Sequence, residues 1–169
     1  VAAAVARFRR CVALMRVLEP WVAAPLTEFL AESGARLALV MTGAGQVIAQ
    51  HGFTRSLDVM SAAALGAGIL ATTGELAGIV GSRTGFGAVV HQGGRQGVWL
   101  AGFDTPRGRW IALVVFGPES SIGLVRLFFA RFAEQIARTA PPLVPVREVL
   151  AEGFERELDQ SLRALFGKS

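Results

Sequence analysis

Between Val59 and Gly74 the chain carries no charge, and small residues recur in it at every fourth position. Ala63, Ala67 and Ala71 fall on one line, and Ala64, Gly68 and Thr72 on the next. On a helix a spacing of four keeps each line on one face, and small side chains there let another backbone come close. Glycine inside a helix costs roughly 0.5–1 kcal/mol relative to alanine, so Gly66 and Gly68 call for a compensating contact. A second helix packed closely supplies one, and the domain's own sheet beneath the helix is the other candidate. The stretch is shorter than the ~20 residues of a membrane-spanning helix, and Asp58 and Glu75 bound it, so it reads as a buried helix.

The elements around it alternate in type. Residues 20–33 predict a short helix ended by Gly34, a residue suited to the position after a helix. Arg36–Met41 and Gln46–Gln50 then read as strands joined by the turn Thr42–Gly45. The middle helix runs from about Leu57 to about Gly81, with Asp58 at its positive end. Three strands follow, Phe86–Gln92, Gly97–Phe103 and Arg109–Phe116, joined at Gly93-Gly94 and at Thr105-Pro106-Arg107-Gly108. Trp110–Phe116 is an unbroken apolar run, the pattern of a central strand covered on both faces. Ser120 or Ser121 caps a last core helix, in which Ile122, Val125, Phe129, Phe132 and Ile136 recur at helical spacing. The expectation is an α/β domain with a five-stranded antiparallel sheet between helices, in the order α-β-β-α-β-β-β-α.

A length of 169 residues suits one such domain with tails. Residues 20–140 form the domain in this reading. Residues 1–19 are read as a helical extension. Either Met15 is the true start, or Phe8, Val12 and Met15 line a basic amphipathic anchor. Beyond Ala140, Pro141, Pro142 and Pro145 make a stiff linker. A separate amphipathic helix then reaches about Phe166, with Leu150, Phe154, Leu158, Leu162 and Leu165 in one stripe that docks on this domain or on a partner.

Hydrophobic residues make up 52% and charged residues 18%, enough apolar surface to offset the cost of ordering the backbone. The net charge of +4 comes from scattered arginines, with one cluster at Arg7, Arg9 and Arg10, and not from the basic stripe interleaved with aromatics that marks nucleic-acid binders. One cysteine, Cys11, excludes an internal disulfide and suits a reducing, cytoplasmic compartment. Gly43-Ala44-Gly45 imitates a dinucleotide fingerprint, but Ile48 stands where its third glycine belongs. Gly167-Lys168-Ser169 imitates the end of a P-loop without its first glycine. His51 and His91 have no carboxylate or cysteine at metal-ligand spacing, and His91 reads as a hydrogen-bonded structural residue. No catalytic, cofactor or metal residue is assigned, which leaves an interaction domain.

Several stretches in order are similar to the roadblock/dynein light chain family, and within it to the bacterial MglB-type regulators of a Ras-like GTPase in cell polarity. They are Gly34-Ala35-Arg36, then Leu57-Asp58 opening the helix that passes through Ala67-Gly68, then Phe86 leading to His91-Gln92-Gly93, and last Ser121-Ile122-Gly123-Leu124-Val125-Arg126-Leu127. The resemblance implies two helices on one face of the sheet and one on the other. It also implies a homodimer made through the middle helix and an edge strand, with the contact at Ser61, Ala64, Leu65, Ala67, Gly68, Ile69, Ala71 and Thr72. In the MglB type such a dimer grips one GTPase in its GTP form and speeds hydrolysis by arranging the GTPase's own residues. Roadblock proteins that serve as dimeric scaffolds are the alternative. The C-terminal helix resembles the MglB tail, so Leu150, Phe154, Leu158 and Leu162 become candidate GTPase contacts. The chain departs from the family pattern at Thr42, in place of a turn aspartate, and at Ile69, in place of a polar residue.

Overall fold

The computed structural model describes residues 16–17, 19–52, 58–83 and 85–141. The C-terminal stripe and Cys11 lie outside the described residues. In chain order the elements are β1 (Arg16–Val17), a 3-10 turn (Pro20–Val22), α1 (Ala23–Ser33), β2 (Leu37–Thr42), β3 (Val47–Gly52), α2 (Val59–Ile79), β4 (Ala88–Gln92), β5 (Gly97–Thr105), β6 (Gly108–Phe116) and α3 (Ile122–Thr139). The strands pair antiparallel in the order β1-β3-β2-β6-β5-β4. The expected five-stranded sheet is present, with a two-residue strand added at one edge.

That added strand corrects the helical reading at Arg16 and Val17; residues 1–15, with Arg7, Phe8, Val12 and Met15, lie outside the described residues. Arg16 and Val17 pair with Gln50 and Ala49 on β3, whose outer edge would otherwise carry unpaired backbone groups. Glu19 ties the same region to the sheet, because it accepts a hydrogen bond from Trp21 Nε1 at 3.0 Å and pairs with Arg107 at 3.3 Å.

Local chemistry sets the element ends. Gly34 closes α1 in the left-handed conformation (φ 64°), its N–H donating to the Leu30 carbonyl. Ser121 caps α3 by accepting from the Leu124 N–H at 3.3 Å. β6 sits between β2 and β5 with helices over both faces, and Trp110–Val114 and Phe116 are buried, as the apolar run requires. Trp110, Ala112, Val114 and Phe116 face α1 and α3, where Phe29, Trp99, Phe103, Phe129 and Phe132 interlock. Ile111 and Leu113 face α2 together with Leu39, Met41 and Leu100. Two helices therefore cover one side of the sheet and one helix the other.

Candidate functional site

The middle helix begins at a well-made cap. Asp58 Oδ1 accepts the N–H groups of Met60 and Ser61 at 3.1 and 3.2 Å, and Oδ2 accepts the Ser61 hydroxyl at 2.6 Å. The Ser61 side chain, then its backbone N–H, stabilise the carboxylate and hold the Asp58 pKa below its ordinary value. Ser61, a residue expected at an interface, is thus already engaged in starting the helix.

From Val59 to Ile79 the helix is continuous and, by length and composition, long and apolar enough to cross a membrane. The extent agrees with the expected helix from about Leu57 to about Gly81, and only its expected burial is corrected. The helix runs past the end of the uncharged stretch at Gly74, through Glu75 to Ile79. Its burial is also narrow, since only Ala63, Gly66, Ala67 and Ala77 are buried, while Leu65 is 68% and Ile79 83% exposed.

The two lines of small residues have different surroundings. Ala63 and Ala67 press on the sheet, and a Cβ added to Gly66 would meet Leu100 Cδ2 at 3.1 Å and Leu113 Cδ1 and Met41 Cε at 3.4 Å. The sheet itself therefore explains Gly66, and Ala67 is turned toward the core. Ile69 is half-buried. Ser61, Ala64, Leu65, Gly68, Ala71 and Thr72 are exposed, and a Cβ on Gly68 would meet nothing within 4 Å. The hydroxyl of Thr72 donates back to the carbonyls of Gly68 and Ile69, each at 3.0 Å, and that of Thr73 to Ile69 at 2.7 Å. With these hydroxyls satisfied inside the helix, the outer face is left small and apolar.

Sequence reasoning missed part of this face. Met60, Leu76, Ile79 and Val80 are exposed on α2 and just past it, and Phe86 is 45% exposed in the segment leading to β4. The spacing of Leu65, Thr72, Leu76 and Ile79 carried the signal, because those positions continue one helical side past Gly74. α2 lies over β2, β3, β5 and β6, and β4 is an edge strand of the sheet beyond them, paired among the described residues to β5 alone. The C-terminal half of α2, at Leu70, Ala71 and Gly74, shares a cavity with Gly85 and Phe86 of the segment leading into β4, whereas Ala64 lies against the β2–β3 turn at Gly45.

The departures from the expected pattern also have a place. Thr42 Oγ1 accepts the Gln46 N–H at 3.1 Å, a bond that an aspartate at this turn would also accept. His51 lies on β3 and His91 on β4, with β2, β6 and β5 between those strands, so the two do not meet. Burial lowers the His51 pKa, and its Nδ1 is buried without a hydrogen-bond partner among the described residues. His91 is exposed on the edge strand rather than packed as a structural histidine. Among the described residues no group of three His, Cys, Asp or Glu side chains is placed to hold a metal ion.

Neither a family model nor a curated protein matches the chain by sequence. Solved structures do. An MglB from Thermus thermophilus, described as a gliding protein, is 31% identical at a TM-score of 0.62, over 72% of this chain and 89% of that one. An MglB with a tetrameric arrangement is 31% identical at a TM-score of 0.63, over 73% and 93% of the two chains. The Myxococcus xanthus MglB is 25% identical at a TM-score of 0.64, over 72% and 95%. A roadblock/LC7 domain from Streptomyces avermitilis, at 17% identity and a TM-score of 0.57, shares the fold.

Proposed function

Since the chain belongs to the roadblock family, as an MglB-like member of it, we propose that it acts as a cytoplasmic homodimer that regulates a Ras-like small GTPase. It binds the GTP form and speeds hydrolysis by positioning the GTPase's own residues, with no catalytic group or cofactor of its own. Phosphoryl transfer depends chiefly on positioning and charge stabilisation, so a partner that only orders its target can accelerate it.

One observation carries the reading: the outer face of α2 is apolar and exposed, small at Ala64, Gly68 and Ala71, and its C-terminal half adjoins the segment leading into the edge strand β4. In a two-fold dimer the same patch meets its own copy. Close approach of two α2 helices would cover Ala64, Leu65, Gly68, Ala71 and Thr72, while antiparallel pairing of two β4 edges would satisfy their free backbone groups. Ser61 and Ile69 lie at the margins of this contact, and Ala67 backs it from the sheet side. The turn bond made by Thr42 supports a family-like hairpin despite the missing aspartate. In the complex the tail residues Leu150, Phe154, Leu158 and Leu162 add contacts to the GTPase.

The test mixes the purified chain with the small GTPase encoded nearest to it, loaded with GTP, and follows complex formation and phosphate release. Acceleration that is lost in Gly68→Arg, together with a monomeric Gly68→Arg, is the expected result. Binding without acceleration would favour the scaffold function instead. Absence of any complex with the GTP form would end the GTPase reading, and a dimeric Gly68→Arg would move the interface elsewhere.

A further inference from the structure

On the face of the sheet opposite α2, α1 and α3 leave a shelf uncovered next to the edge strand. Ala88 and Val90 on β4, Ala101 on β5 and Phe129 and Ala130 on α3 line this groove of about 440 Å³, with Trp99 in its wall. Val90 is 44% exposed and Phe86, at one end, 45%. Ala130 is exposed and Ala133 half-buried, so the side of α3 toward the shelf is made of small residues with room for apolar side chains. Arg126 also lines the groove, and Arg95 lines the adjoining cavity at the start of α3. Neither arginine has a carboxylate partner among the described residues.

We propose that the C-terminal segment of this same chain, residues 148–166, lays its apolar stripe on this shelf in the free protein. Three observations select that occupant. The first is position: α3 ends at Thr139, and residues 140–147 can span up to about 28 Å when extended, against the ~8–10 Å between packed helix axes. The second is length, because α3 is about 27 Å long and a helix over 148–166 about 28 Å. An antiparallel return along α3 therefore matches it end to end.

The third is charge. Residues 148–166 carry Glu148, Glu152, Glu155, Glu157 and Asp159 against the two cations Arg156 and Arg163. On a helix, Glu155 and Glu157 border the stripe of Leu150, Phe154, Leu158 and Leu162 on opposite sides, so one of the two falls on the side of α3 and Arg126. The shelf lies on the other side of the sheet from α2, so the inference stands apart from the GTPase reading. If that reading also holds, a GTPase must draw the tail off the shelf to use its apolar stripe.

Hydrogen–deuterium exchange on the full-length chain, with no GTPase present, tests the docking. An undocked helix of this length is marginal in water, so protection of amides 150–165 by about tenfold or more over free-chain rates is the signature of docking. Ala130→Trp fills the shelf from an exposed position and should remove that protection, as should Phe154→Asp. Arg126→Glu should weaken it, and Glu155→Arg with Glu157→Arg in the same chain should restore it. Unprotected tail amides in the wild type, or protection unchanged in Ala130→Trp, would overturn the proposal. Protection that disappears on dilution would assign the shelf to a second copy's segment and overturn it as well.

Discussion

Two residues apart on α2, Gly66 and Gly68 face different surroundings. A Cβ on Gly66 meets three side-chain ends at 3.1–3.4 Å, and one on Gly68 meets nothing within 4 Å. Gly66→Leu should therefore overpack the sheet face and cost about 1–3 kcal/mol, whereas Gly68→Ala should stabilise the monomer by roughly 0.5–1 kcal/mol through helix propensity. Urea unfolding at a concentration low enough to keep the chain monomeric reads both, and equal signs would contradict the assignment. Asp58 makes a separate prediction. Its folded pKa lies below the unfolded one, so the folded state holds fewer protons and the cap's contribution is complete above the unfolded pKa. That contribution fades as pH falls through the folded pKa. The stability difference between wild type and Asp58→Ala should be constant above about pH 5 and shrink below about pH 4. A difference that grows on acidification would be inconsistent with it.

At the scale of elements, α1 and α3 are held by aromatic packing far more than by the ion pairs that join them. Phe129 lies 4.6 Å from Trp99, 5.3 Å from Phe103 and 5.7 Å from Phe132, ring centre to ring centre. Arg131 pairs with Glu32 at 2.9 Å, but its side chain is 54% exposed. Phe129→Ala should cost about 3–5 kcal/mol, and Arg131→Ala about 0–1 kcal/mol. Unfolding midpoints of the two variants check the order. α2 differs from both helices in having an apolar surface nearly all round and a core-facing strip of only four buried residues. An exposed apolar helix face of that kind and a strand edge at β4 suit the self-association proposed above.

For the whole molecule, the proposed association through that face would link stability to concentration. A dimer that unfolds to monomers has a Tm that rises with protein concentration. The wild-type Tm should rise across a hundredfold concentration series, and that of Gly68→Arg should stay flat. A flat wild-type series would remove self-association from the account. The same measurement in Ala130→Trp should keep its slope, because the shelf beside α3 lies on the opposite side of the sheet from α2.

How far the sequence could be read follows from how local each signal is. The strand at Trp110–Phe116, the cap at Ser121, the left-handed stop at Gly34 and the apolar period of α3 are short-range patterns, and each was legible because a few neighbouring residues determine it. The order of elements and the two-against-one arrangement of helices followed from those signals and the family likeness together. What only the tertiary structure decided was direction. A helix rich in small residues on every side has no period from which its inward face can be read, so the division between Ala63, Gly66 and Ala67 toward the sheet and Ala64, Gly68 and Thr72 toward solvent required the sheet to be in place. The pairing of Arg16 and Val17 with β3 was hidden for a related reason. A two-residue strand has no periodicity of its own and exists because an unpaired edge, distant in sequence, lies beside it.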